Sequence, residues 1–143
     1  MKIPLQQVTD VLEAASDSVT DYLDLHTGET VSLFDPYMIG ETDEELAELI
    51  ESTPERFLRF PTQYEIHEYR IMEDFIESLP TGSVQRELAA AIRGKGAFRR
   101  FKATVRFHRI EQRWYDFLAG AYRAIAIQWC KDNQLEYTTD TEH

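Results

Sequence analysis

Apolar and polar positions follow two different periods along this chain. Over residues 4–15, Leu5, Val8, Leu12 and Ala15 recur at helical spacing. Pro4 falls in the first turn, where a missing N–H costs nothing. From residue 19 to residue 35 the period shortens to two. Tyr22, Leu23 and Leu25 lead into His26-Thr27-Gly28-Glu29, and Val31 and Leu33 then alternate with Thr30, Ser32 and Phe34. This predicts a β-hairpin, with Gly28 supplying the positive φ that such a turn needs.

Helical spacing returns at residues 41–52, a short acidic helix with Thr42 as its cap and Leu46, Leu49 and Ile50 as its apolar face. Residues 56–60 alternate imperfectly and predict a third strand. A long helix is predicted over 62–79, with Met72, Phe75, Ile76 and Leu79 as its stripe and Pro80 and Gly82 as its stop. Ser83 is expected to cap a helix to Arg93 that turns Leu88, Ala89, Ala91 and Ile92 inward. Gly94-Lys95-Gly96 interrupts the chain, and a further helix runs from Ala97 to about His108. A last helix spans about 111–131, striped by Trp114, Phe117, Leu118, Ala121, Ile125 and Trp129. Residues 134–143 read as a frayed polar tail. The expected fold class is α+β: a small antiparallel β-hairpin or sheet near the N-terminus, then a mostly helical C-terminal half, in one domain over 1–143.

Composition narrows the function classes. The chain has 143 residues, 43% of them apolar and 12% aromatic, which excludes wholesale disorder. No apolar run reaches the length of a membrane span, and the start MKIPLQQVTDVLEA lacks the apolar core of a signal peptide. Cys130 is the single cysteine, so no internal disulfide forms, and the expected compartment is the cytoplasm.

The net charge of -11 hides an asymmetry. Residues 1–80 hold 19 acids and 4 bases, while residues 81–143 hold 7 acids and 11 bases. Residues 93–109 carry seven bases and no acid: Arg93, Lys95, Arg99, Arg100, Lys102, Arg106 and Arg109. Residues 41–55 carry seven acids and no base: Glu41, Asp43, Glu44, Glu45, Glu48, Glu51 and Glu55. On an uninterrupted helix Arg99, Lys102, Arg106 and Arg109 share a sector of roughly 80°. Phe98, Phe101 and Val105 fall about a third of a turn away, so the helix is expected to bury its phenylalanines beside a cationic ridge. Arg113 extends the ridge only if the helix continues through residue 110.

That ridge has two readings. It meets phosphates of nucleic acid or another phosphorylated ligand, for which several bases on one face are suited. Or it pairs with the acidic helix, through Glu44, Glu45, Glu48 and Glu51, in the same molecule, a second copy or a protein partner. The turn before it adds to the first reading. Gly96 precedes a helix N-terminus, where free N–H groups and the dipole favour an anion, with Lys95, Arg99 and Arg100 adjacent. The spacing is not that of a P-loop, and Lys95 and Arg100 are misplaced for a DNA-reading helix-turn-helix. In the plainer reading Gly94 caps one helix and Gly96 makes a tight turn.

Four segments resemble the bacterial uncharacterised protein family zero-one-five-eight. They are Tyr22-Leu23-Asp24 with Thr27-Gly28-Glu29, the run from Ile66 through His67, Glu68, Tyr69 and Arg70 to Ile76, the run from Gly94 through Lys95 and Gly96 to Lys102, and Arg113-Trp114-Tyr115. In order and spacing they cover about residues 5–130. The resemblance implies a small bacterial cytosolic protein and transfers no catalytic residue.

Catalytic signatures are weak. His67 and Glu68 are not followed by a histidine at position 71, which is Ile71, so the zinc-protease pattern is absent. His67 and Asp74 stand two turns apart, about 10.5 Å along a helix, too far for one ion without a ligand from another element. Glu65, Glu68, Glu73, Asp74 and Glu77 read as a solvated face, although Glu73 and Glu77 repel at i,i+4 and invite arginines from elsewhere. Cys130 lies off the main apolar stripe with no activating neighbour. Tyr115 and Tyr122 flank that stripe, where they either pack or stack on a base. No cofactor and no metal are expected. The sequence reads as a non-enzymatic regulator that binds phosphates through Lys95, Gly96, Arg99, Arg100, Lys102, Arg106 and Arg109, or as a protein-interaction module built on the acidic helix.

Overall fold

In chain order, the computed structural model contains β1 (Lys2–Pro4), α1 (Leu5–Glu13), β2 (Val19–Asp24), β3 (Thr30–Phe34), α2 (Glu44–Ser52), a 3-10 turn (Pro54–Arg56), β4 (Phe57–Arg59), α3 (Gln63–Ile66), α4 (Glu68–Ser78), α5 (Ser83–Ala91), α6 (Ala97–Phe107), α7 (Glu111–Asp132) and β5 (Glu136–Thr138). The structure describes residues 2–16, 18–34 and 44–139. The fold is α+β, as the periodicities predict. The chain divides into two compact units: residues 1–66 with 122–143, and residues 67–121.

The first unit holds both sheets. β2 is the centre of an antiparallel sheet ordered β3-β2-β4, with Tyr22 opposite Val31 on one side and Arg59 on the other. Gly28, at φ 78°, makes the expected turn between β2 and β3. Asp24 secures that turn. Its carboxylate accepts the His26 N–H at 2.9 Å and two guanidinium hydrogen bonds from Arg56, at 2.9 and 2.8 Å. The Arg56 contact and the His26 N–H hold the buried Asp24 carboxyl far below its ordinary range, against the opposing effect of burial. Gln7 of α1 adds a hydrogen bond from its side-chain amide to the Gly28 carbonyl.

Three features of this unit differ from the sequence reading. Residues 2–4 form β1 and pair in parallel with β5, Ile3 opposite Tyr137, so part of the expected frayed tail is an ordered edge. Pro4 ends β1 and stands just before α1 rather than within it. The core includes Val8, Leu12, Leu23, Phe57, Phe60 and Ala126. Phe60 stacks on Trp129 at 4.5 Å, and the Trp129 indole N–H donates to the Arg59 carbonyl at 3.1 Å. Cys130 is fully buried, contrary to its predicted position off the apolar stripe, and burial pushes its thiol pKa up. The Thr42 cap, Glu41 and Asp43 lie outside the described residues.

The second unit is helical. The predicted helix 62–79 is two helices, because His67 takes a left-handed conformation at φ 56° and the turns on either side close separately. Gly82, not Ser83, occupies the cap position of α5, which ends at Ala91. Met72, Phe75, Ile76 and Leu79 are buried as their spacing predicts, with Leu88, Ala91 and Ile92 of the next segment. Phe75 is the hub, meeting Phe101, Trp114 and Phe117 edge-on at 6.1, 5.3 and 5.4 Å. Tyr69 donates its hydroxyl to the Ile92 carbonyl at 2.8 Å, and His108 contacts Glu87 of α5. Among the described residues, no helix is long and apolar enough to cross a membrane.

Candidate anion-binding surface

The second unit carries the basic segment. Phe101 and Val105, one helical turn apart, anchor the inner face of α6. Arg99, Lys102 and Arg106 then fall on the outer face, and all three are exposed. None of them forms an ion pair with a described residue, whereas Arg56, Arg59 and Arg70 pair with Asp24, Glu65 and Asp74. Lys95 is also exposed, in the turn before the helix.

Phe98 is not buried as expected. It stands at the edge of the apolar face, 45% exposed, and Phe107 on the opposite side is 79% exposed. The ridge is therefore bordered by aromatic side chains.

Arg109 leaves the ridge. The sector computed for it assumes an unbroken helix, but α6 closes at Phe107. The Ile110 N–H bonds the Val105 carbonyl and the Arg109 N–H bonds the Arg106 carbonyl, both at 3.1 Å, with Arg109 at φ 58°. This is a Schellman closure in which arginine holds the position usually given to glycine. α7 starts afresh at Glu111, so the condition for Arg113 to extend the ridge is not met.

Arg100 folds back along the surface onto the turn before α6. Its Nε donates to the Ala91 carbonyl at 2.9 Å, and its two terminal nitrogens donate to the carbonyls of Lys95 and Arg93. These acceptors include the end of α5, where carbonyls lack helical partners and the dipole favours a cation. Arg100 thus ties the Gly94-Lys95-Gly96 turn to the helix before it. Gly96, at φ 77°, occupies the cap position of α6 without a side-chain cap, and a Cβ there would meet the Arg100 guanidinium at 3.1 Å.

A small cleft opens beside the ridge between α4, α6 and α7. It has a volume of about 150 Å³ and is lined by Glu68, Lys102, Val105, Arg106, Glu111, Trp114, Tyr115 and Leu118. Tyr115 is 58% exposed, so it is a surface ring rather than core. Glu68 and Glu111 occupy the first turns of α4 and α7, where helix dipoles favour a carboxylate. A second, open cleft of about 330 Å³ includes Arg70, Glu73, Asp74 and Glu77. The arginine beside these acids is Arg70, from their own helix, not one from elsewhere. No group of three His, Cys, Asp or Glu among the described residues is placed to hold a metal ion.

In the first unit, Glu44, Glu45, Glu48 and Glu51 are exposed on α2, and none pairs with a described cation. No residue of α2 is buried.

No solved structure matches the chain. The UPF0158 protein PA5073 of Pseudomonas aeruginosa is 26% identical over 136 residues, covering 93% of this chain and 86% of that protein. The Uncharacterised protein family (UPF0158) matches residues 1–142, and the chain belongs to that family.

Proposed function

We propose that this protein is a non-enzymatic bacterial regulator that binds the phosphates of nucleic acid through α6. The observation that carries this reading is the set of exposed cations Arg99, Lys102 and Arg106 on one helical face, with no acidic partner among the described residues. Lys95 and the uncapped start of α6 extend the cationic surface at one end. Arg109 adds charge nearby but not on the same helical face. Arg100 contributes positive potential while its donors hold the turn. Contacts of this kind give affinity without base preference. A ligand of this chemistry is met in the cytoplasm.

The test is fluorescence anisotropy with labelled single-stranded and duplex oligonucleotides at two salt concentrations. Three or four phosphates neutralised on a single strand predict a roughly 20- to 50-fold loss of affinity between about 50 and about 200 mM salt. The triple variant Arg99→Glu/Lys102→Glu/Arg106→Glu, with an unchanged circular dichroism spectrum, is expected to abolish binding. Absence of binding at the lower salt concentration overturns the proposal. It would favour the second reading, a protein-interaction module, which the wholly unburied α2 with its four exposed glutamates supports. Salt-sensitive self-association in sedimentation would then identify a second copy as the partner.

A further inference from the structure

We infer that the cleft beside the ridge receives one unpaired base of a single-stranded nucleic acid, which makes the protein selective for single strands over duplex. This rests on the phosphate-binding role of α6 and adds a specificity to it.

Lys102 and Arg106 belong to both features: they stand on the ridge and they line the cleft. A phosphate held by either cation therefore brings its own nucleotide to the mouth of the cleft. The volume of about 150 Å³ is half the lower bound of about 300 Å³ for pockets that enclose a drug-sized molecule. Such a space suits one group carried by a polymer rather than a whole free ligand.

The lining chemistry selects the group. Tyr115 offers an exposed ring for stacking, and Val105 and Leu118 supply apolar wall. Glu68 and Glu111 repel a phosphate but accept hydrogen bonds from the amino and imino N–H groups at a base edge. Neither carboxylate is paired with Lys102 or Arg106, so cations remain available to the backbone and acceptors to the base. In a duplex those base edges are paired and stacked, and only a single strand can present them to so small a space.

The experiment compares three probes of about 12 nucleotides, within the usual range of single-strand sites: a single DNA strand, the same strand with abasic residues throughout, and the duplex. Anisotropy is measured with the natural protein, Tyr115→Ala and Tyr115→Phe, each checked for folding by circular dichroism. The base-bearing strand is expected to bind about tenfold more tightly than the abasic strand. Tyr115→Ala should remove that advantage while leaving abasic affinity unchanged, and Tyr115→Phe should keep it. Equal affinity for all three probes, or equal weakening of base-bearing and abasic strands by Tyr115→Ala, overturns the base-binding cleft and leaves the ridge standing. Salt-insensitive binding or none to any probe overturns both.

Discussion

Two glycine-containing turns in this molecule are each fastened by an arginine, and the two fastenings have opposite electrical consequences. In the hairpin of the first unit, Arg56 reaches the carboxylate of Asp24, which also caps the turn through the His26 N–H. The pair is neutral. In the helical turn of the second unit, Arg100 reaches only carbonyl oxygens, those of Ala91, Arg93 and Lys95. Carbonyls satisfy its donors without cancelling its charge. The first turn is closed mechanically and electrostatically. The second is closed mechanically and left cationic beside Arg99, Lys102 and Arg106. A base that serves the fold can therefore still shape the potential of a binding surface.

The largest effect is expected where charge and burial coincide. Asp24→Ala removes the acceptor of three hydrogen bonds and the buried partner of Arg56. It should lower the melting temperature by about 5 to 10 °C, from the usual strength of hydrogen bonds to charged groups and the size of the chain. The pair also makes the hairpin acid-sensitive. The folded carboxyl lies below its ordinary value of 3.8, because Arg56 and then the His26 N–H stabilise its charged form over the cost of burial. Its contribution is therefore complete above the unfolded pKa and declines as pH falls through that value toward the folded one. Hydrogen exchange at the His26 amide, corrected for intrinsic rates, should show this loss setting in as pH falls through 3.8 and growing at lower pH. Asp24→Asn should remove the pH dependence.

Arg100→Ala comes next. It leaves three carbonyls without their guanidinium donor; those of Lys95 and Arg93 are exposed and water can replace it there, while that of Ala91 is part-buried. A melting-temperature loss of about 3 to 5 °C is expected, with no acid dependence of its own, since no carboxylate is involved. Arg100→Lys should restore little of it, because one ammonium cannot span three carbonyls with the geometry of a planar fork. If Arg100→Lys restores full stability, charge at the end of α5 matters and the three-way contact does not.

These turns also mark what the sequence can express. Gly28 and Gly96 are visible as turn residues, and the stripe from Met72 to Leu79 is visible as a core face, because local backbone need and short periods are written in neighbouring residues. The closures at Arg109 and Gln134 are not visible. Both take φ near 57°, at 58° and 56°, without being glycine. The break at His67 likewise carries neither glycine nor proline. The pairing of β1 with β5 joins residues more than 130 positions apart through strands of three residues, too short for a pattern. The cationic segment was legible as composition, but the roles within it were not. Separating Arg100 from Arg99 requires knowing that one guanidinium folds back nine residues to a carbonyl. Tyr115 was legible only as a ring at the edge of a stripe, since the cleft that gives it a use is made by three helices.

The smallest effect separates backbone strain from crowding in the two turns. Gly28 and Gly96 have nearly the same backbone, at φ +78° and +77°. A Cβ at either is expected to cost about 1 kcal/mol in strain alone. At Gly28 that Cβ meets nothing within 4 Å, so strain is the whole cost of Gly28→Ala. At Gly96 it meets the Arg100 guanidinium at 3.1 Å, and the guanidinium must give by a few tenths of an ångström. Gly96→Ala should therefore exceed Gly28→Ala by a few tenths of a kcal/mol in denaturant unfolding. The excess should vanish in an Arg100→Ala background, where nothing is left to displace. An excess that persists without Arg100 would assign the cost to the backbone of α6 instead of the arginine that fastens the turn.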